Sequence, residues 1–393
     1  MKHRHLAALA VVAAAILVGC GGNEAHVPGS EAPSGAPSTR GSFSAVVSFG
    51  DSLSDVGAYT PATSATGNGA APYLGGRFTT NSATGSVYVE YLAASLGLVV
   101  TPAEVGFAGQ SVKCPAAANP ALAGTCTGYG QGGARVTDPN GIGKAGGALT
   151  VPVKTQIANH LARFGSFKAT DLVLVLAGNN DGFVQLGTFG AEAAQIQADA
   201  GAGKLTPVQA NKALFEAQTK AQAEMKKAGL ELAGYVRNEI LAKGGRYVAV
   251  LLALDPQFTP FGASLPASLR PVVTTLNDTF NLWLREGLAG APVQLVDPTL
   301  LVRDAVANPA KYGFSNVTAV ACDAAKIQAI TRGAITDGTS LFCNATAGAP
   351  FNGLRAGADA TTWLFADSVH PTTGGHKAMA DFIAAQLKSF GWI

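Results

Sequence analysis

Four short apolar runs, rich in β-branched residues, recur along the chain at Phe43 to Phe49, Asp171 to Leu176, Tyr247 to Leu254 and Val293 to Val296. Between them lie stretches of helical pattern, around Val87 to Leu96, Val151 to Phe164, Ser264 to Leu288 and Thr372 to Leu387. Near-continuous apolar runs are what strands buried on both faces look like, and parallel neighbours need a crossover, usually a helix, to bring the chain back to the same end of the sheet. The alternation therefore predicts an α/β fold: a central parallel sheet covered by helices on both faces.

Open sheets of this kind place their sites beyond the C-terminal ends of the strands, so the residues that follow each run matter most. The first run ends in Gly50-Asp51-Ser52-Leu53, a tight turn that exposes one hydroxyl, that of Ser52. A serine becomes a nucleophile when a base takes its proton, a third group orients the base and donors receive the oxyanion. Of the six histidines, His3 and His5 lie in a leader, His26 in a linker and His160 in a helical segment, which leaves His370 and His376. Only His370 has a carboxylate at a useful spacing, in Asp367-Ser368-Val369-His370. An Asp three residues before a His on a loop can fold back onto the imidazole and fix its tautomer. Oxyanion donors are suggested by Gly178-Asn179-Asn180-Asp181, which follows the second run, and by the glycine-rich stretch Gly128-Tyr129-Gly130-Gln131-Gly132-Gly133-Ala134, where backbone can approach a reacting carbonyl closely.

Taken together and in this order, these stretches resemble the blocks of the GDSL, or SGNH, hydrolase family. Gly50-Asp51-Ser52-Leu53 matches the nucleophile block, Gly133 the block glycine, Gly178-Asn179-Asn180-Asp181 the Gly-x-Asn-Asp block and Asp367-Ser368-Val369-His370 the Asp-x-x-His block. The likeness runs through nearly the whole chain after the leader. Phe49 to Pro61, Gly76-Arg77-Phe78 with Val87 to Ala93, Gly313 to Cys322 and Trp363 to Ala380 look like the bacterial lipase and esterase branch that includes autotransporter esterases and secreted phospholipases. The resemblance implies a flavodoxin-like three-layer α/β/α sandwich and a catalytic set of Ser52, Asp367 and His370. The oxyanion hole it implies consists of the backbone N–H groups of Ser52 and Gly133 and the side-chain amide of Asn180. Where the family usually carries Asn and Ala, this chain has Gly128 and Gly130.

Residues 1–20 read as a targeting segment: Lys2 and Arg4 precede the apolar run Leu6 to Val18, too short for a comfortable membrane span, and the segment ends in Leu17-Val18-Gly19-Cys20. Small residues before a cysteine look like a bacterial lipobox, with an ordinary signal-peptide cut near Gly19 as the alternative. On the lipobox reading Cys20 is lipidated and acyl chains anchor the protein to a membrane. Gly21 in place of Asp points to outer-membrane sorting. Residues 21–42, rich in Gly, Ser, Pro and Ala, read as a flexible tether, and residues 43–393 as one hydrolase domain. That domain ends directly after its last helix, which predicts a protein without a translocator barrel. The remaining cysteines are an even set in an exported chain, which favours disulfides. Each close pair flanks a loose Gly- and Ala-rich loop, so Cys114 with Cys126 and Cys322 with Cys343 is the expected pattern among three possible pairings.

A net charge of +2, 13% charged residues and no Lys/Arg cluster argue against a nucleic-acid partner. Two Gly-x-Gly-x-x-Gly matches, at Gly128 to Gly133 and Gly141 to Gly146, neither follow a convincing strand nor open into a helix, so no nucleotide cofactor is expected. No metal-ligand cluster and no Gly-x-Ser-x-Gly elbow is present. Between residues 182 and 243 lies a stretch of helix formers broken at Gly201-Ala202-Gly203; it reads as two helices, either a solvated hairpin covering the sheet edge or a lid over the site. The expectation is a monomeric serine hydrolase of carboxylic acyl esters, small-molecule or lipid. A carbohydrate O-deacetylase, an acyltransferase or a non-catalytic surface lipoprotein are the alternatives.

Overall fold

The strands of the main sheet fall on the four apolar runs. In chain order the strands are β1 (Ala45–Gly50), β2 (Glu104–Phe107), β3 (Gln110–Lys113), β4 (Asp171–Leu176), β5 (Tyr247–Leu251), β6 (Gln294–Val296), β7 (Asn316–Val320) and β8 (Trp363–Phe365). The computed structural model describes residues 27–64, 75–348 and 350–393; the leader with Cys20 lies outside the described residues. The main sheet is parallel in the order β1-β4-β5-β6, with Ala45 opposite Asp171, Leu172 opposite Tyr247 and Ala249 opposite Gln294. On the outer edge of β1 the Ser48 N–H donates to the Thr127 carbonyl at 3.0 Å, and the Tyr129 N–H donates to the Ser48 carbonyl at 2.8 Å. Residues 127–129 thus act as a short fifth strand, and the order 127–129, β1, β4, β5, β6 is that of a flavodoxin-like sheet. β2 and β3 form a small antiparallel ribbon, and β7 pairs in parallel with β8.

The helices are α1 (Thr60–Ser64), α2 (Tyr88–Ser95), α3 (Val153–Phe164), α4 (Asn179–Gly201), α5 (Pro207–Tyr235), α6 (Pro260–Ser264), α7 (Arg270–Gly287), α8 (Pro298–Ala307), α9 (Ala324–Ile330) and α10 (Thr373–Ser389). Side chains alternate across each strand and so divide the core in two. Val47, Phe49, Val173, Val175, Val248 and Val250 face α3, α4, α5 and α7. Val46, Leu172, Leu174, Leu176, Ala249 and Leu251 face α2, α8 and α10. The segment expected as a hairpin or lid is largely a structural layer: Ala221, Met225, Ala228, Leu232 and Ala233 of α5 are buried in the first of these clusters. The break falls at Ala202, and Thr206 caps the second helix by accepting from the Gln209 N–H.

Both disulfides form as expected, with Cα atoms 5.4 Å apart for Cys114 and Cys126 and 5.9 Å apart for Cys322 and Cys343. The tether differs from expectation. Its described part lies against the domain: the Ser34 N–H donates to the Ala291 carbonyl, and the Gly41 N–H donates to the Trp392 carbonyl. The Trp392 indole donates to the Pro37 carbonyl at 2.6 Å. A segment short of large apolar residues can still be ordered when its backbone finds partners on a preformed surface, a pairing that composition does not reveal. Trp392 is fully buried and meets Tyr247 edge to face at 5.3 Å. Trp392→Ala is therefore expected to lower unfolding free energy by roughly 3–5 kcal/mol, measured by chemical denaturation; a loss within experimental error would show that this end of the chain does not support the core.

Candidate active site

Ser52 opens a single 3₁₀ turn, Ser52–Ser54, directly after β1. The turn is tight because Gly50 sits against β4: a Cβ there would stand 2.3 Å from the Leu176 carbonyl oxygen. Gln156, buried on the apolar face of α3, holds the glycine in place. Its Oε1 accepts from the Gly50 N–H and its Nε2 donates to the Gly50 carbonyl, both at 2.8 Å. Asp51 caps the turn by accepting from the Leu53 N–H.

The residues singled out from the two ends of the sequence meet here. The Ser52 Oγ lies 2.8 Å from His370 Nε2, and His370 Nδ1 lies 2.9 Å from Asp367 Oδ1 and 2.8 Å from Oδ2. Asp367 is well supplied with donors. Its Oδ1 also accepts from the Val369 and His370 N–H groups, and its Oδ2 accepts from the Ser340 N–H at 2.8 Å. Burial alone would raise this carboxyl, but the adjacent imidazole and these donors outweigh it and hold the pKa far below the ordinary carboxylate range. Burial likewise opposes charge on His370, yet the Asp367 carboxylate reverses that and holds its pKa above the ordinary 6.5. The Phe78 ring lies 5.0 Å from the imidazole.

Asn180 sits in the first turn of α4, beyond β4. Its Nδ2 donates to the Ala134 carbonyl at 2.9 Å, which uses one amide hydrogen and orients the other. Gly133, the glycine that the resemblance picks out, differs from its neighbour Gly132 in its hydrogen bonding. The Gly132 N–H is taken by Asp55 Oδ2 at 2.9 Å, whereas among the described residues the N–H groups of Gly133 and Ser52 have no partner. Gly133 adopts φ 77°, and a Cβ on it would stand 1.9 Å from the Ile142 carbonyl oxygen, so only glycine fits. On the far side of the loop, Asp181 accepts from the Val136 N–H and from Arg135, each at 3.0 Å. Burial pushes Asp55 up to about 7 and Asp51 up to about 6.

Ser52, His370, Gly133 and Asn180 share the wall of one cavity of about 780 Å³. The rest of its lining is mainly apolar and includes Phe107, Ile142, Phe183, Leu186, Phe261 and Leu265. Gln156, Asp55 and Ser340 went unnoticed in the sequence. Gln156 had a signal, a polar residue in line with Val153, Ile157 and His160 on the inner face of α3. Ser340 had none, since it acts through its backbone.

A nucleophilic hydroxyl, an imidazole held by a buried carboxylate and unpaired donors at the ends of two parallel strands define a serine-hydrolase type of site on a flavodoxin-like sheet. The family described as GDSL-like Lipase/Acylhydrolase matches residues 46–383, and the chain belongs to it. Two curated relatives, each named Esterase EstA, from Pseudomonas aeruginosa and Pseudomonas putida, are each 34% identical over 146 residues, 37% of this chain and 20% of the relative. The match therefore spans about a fifth of the length of those relatives.

The described histidines should titrate far apart. His376 accepts from the Tyr88 N–H and lies 3.3 Å from the Phe78 carbonyl; burial pushes it down to about 3, and burial pushes His160 down to about 4. An NMR titration of the imidazole protons should show these two neutral at pH 6 and His370 still charged above pH 6.5. Because the folded pKa of His370 is raised, its contribution to stability is full below pH 6.5 and is lost as pH rises through the folded value. A His370 midpoint below 6.5 would contradict the Asp367 contact.

Proposed function

We propose that the chain is a serine hydrolase of carboxylic acyl esters working through an acyl-enzyme on Ser52. The observation that carries this is the continuous hydrogen-bonded line from Ser52 through His370 to Asp367, opening beside unpaired N–H groups into an apolar cavity. In this reading Ser52 Oγ attacks the ester carbonyl carbon while His370 Nε2 takes the hydroxyl proton. Asp367 keeps Nδ1 protonated and stabilises the imidazolium. The developing oxyanion lies within reach of the backbone N–H groups of Ser52 and Gly133 and the second amide hydrogen of Asn180. Collapse of the tetrahedral species breaks the bond to the alcohol oxygen, which receives the proton from His370. Water, deprotonated by the same imidazole, then releases the acid and restores Ser52.

Outside the described residues, the lipobox-like Leu17-Val18-Gly19-Cys20 supports the further proposal that the protein is exported and held at the outer membrane by lipid on Cys20. Mass spectrometry of the mature protein would show diacylglycerol on Cys20; an unmodified N-terminus beyond it would defeat this proposal.

The catalytic reading is tested with p-nitrophenyl esters. Ser52→Ala and His370→Ala should each lose on the order of a million-fold in kcat, and Asn180→Ala roughly a hundred- to a thousand-fold. An Asn180 effect below about tenfold would remove it from the oxyanion site. Since the base must be neutral, kcat/KM should rise with pH through a midpoint above 6.5. Turnover that survives in Ser52→Ala would overturn the assignment of the nucleophile.

A further inference from the structure

Once Ser52 has attacked, the three groups on the carbonyl carbon of an ester have to point in different directions. The oxyanion faces Gly133 and Asn180, and the alcohol oxygen must lie within reach of His370 Nε2, which protonates it. The acyl chain takes the remaining direction. Asn180 is the second residue of α4, and Phe183, Gly187 and Gly190 follow it at three-, seven- and ten-residue spacing, on the same helix face. All three line the cavity, with Leu186 beside them. From Asn180 to Gly190 this face runs for about 15 Å. Across from it stand Phe261, whose ring meets that of Phe183 edge to face at 5.2 Å, and Leu265.

Both glycines stand inside a helix. Glycine is the poorest helix former after proline, and nothing in the packing asks for it here. Neither residue has positive φ, and a Cβ on either would meet nothing within 4 Å. Gly50 and Gly133, by contrast, are forced by close backbone contact. At Gly187, which is exposed, and at Gly190 the missing side chains leave open space along the cavity wall.

We infer that the α4 face beyond Asn180 is the acyl-chain site, and that Gly187 and Gly190 keep it open for medium- and long-chain acyl groups; this rests on the ester-hydrolase reading above. Phe183, Leu186, Phe261 and Leu265 supply the apolar walls along which successive methylenes lose contact with water. Each methylene buried there raises kcat/KM by up to roughly three- to fourfold, the equivalent of about 0.8 kcal/mol. A side chain at either glycine blocks the far part of the path first.

The experiment is the ratio of kcat/KM for p-nitrophenyl decanoate to that for p-nitrophenyl acetate, in the protein and in Gly187→Leu, Gly190→Leu and Leu265→Trp. The parent ratio should exceed one, and each variant should lower it by about tenfold or more. Leu265→Trp narrows the same path from outside α4, so the test stands even if a leucine disturbs the helix. Gly187→Ala should raise the melting temperature, since alanine gains helix propensity without meeting a neighbour. An unchanged ratio in all three variants, or equal losses on both esters, would overturn the inference while leaving the hydrolase intact. Absence of turnover of both esters in the parent protein would instead strike down the hydrolase reading, and the acyl-chain site with it.

Discussion

The hydrogen bond between Ser52 and His370 joins residues 318 apart in sequence, and much of the architecture serves to keep its two ends in register. The serine end is set by the sheet: β1 is flanked by β4 and by residues 127–129, so its C-terminal turn cannot drift. The histidine end stands on a loop, and loops need bracing. The Ala366 N–H donates to the His370 carbonyl, and the Cys322 N–H donates to the Ala366 carbonyl. Cys322 is bonded to Cys343, three residues beyond the Ser340 N–H that holds Asp367. Asn81 closes the web by donating to the Ser340 and Cys343 carbonyls. The disulfide therefore ties together the two backbone segments that hold the carboxylate and the histidine.

Around this line the fold buries several carboxylates, which is unfavourable unless each is well supplied with donors. Asp367 is so supplied and stays ionised. Asp55 and Asp181 each spend one carboxylate oxygen on the backbone either side of Gly133, at Gly132 and at Val136. The consequence for the site is selective. Fixing the neighbours of Gly133 leaves its own N–H without a partner among the described residues, and a donor held in place before a substrate arrives needs no reorganisation when charge develops.

The family assignment and the apolar cavity meet in the helical insertion. Most of α5 is core, packed over the sheet with α7, whereas the first turns of α4 carry Asn180 and then run along the cavity. The same helix thus contributes to the sheet's cover and to the wall of the site, and these two duties are separated along its length rather than assigned to different elements.

The sequence by itself pointed to the four runs of the main sheet, the parallel α/β class and the expected disulfide pairing, and its resemblance to a hydrolase family grouped Ser52, Asn180, Asp367 and His370. Each of these is written in side-chain chemistry at short spacing: apolar runs, a Gly-Asp-Ser turn, an Asp three residues before a His. Only the tertiary structure brought Gln156 and Ser340 to the site, laid residues 29–41 against the domain and completed the sheet with residues 127–129. Those features are made by backbone N–H and carbonyl groups meeting across long sequence separations. Every residue but proline carries the same pair, so the residue type does not reveal which of them will meet.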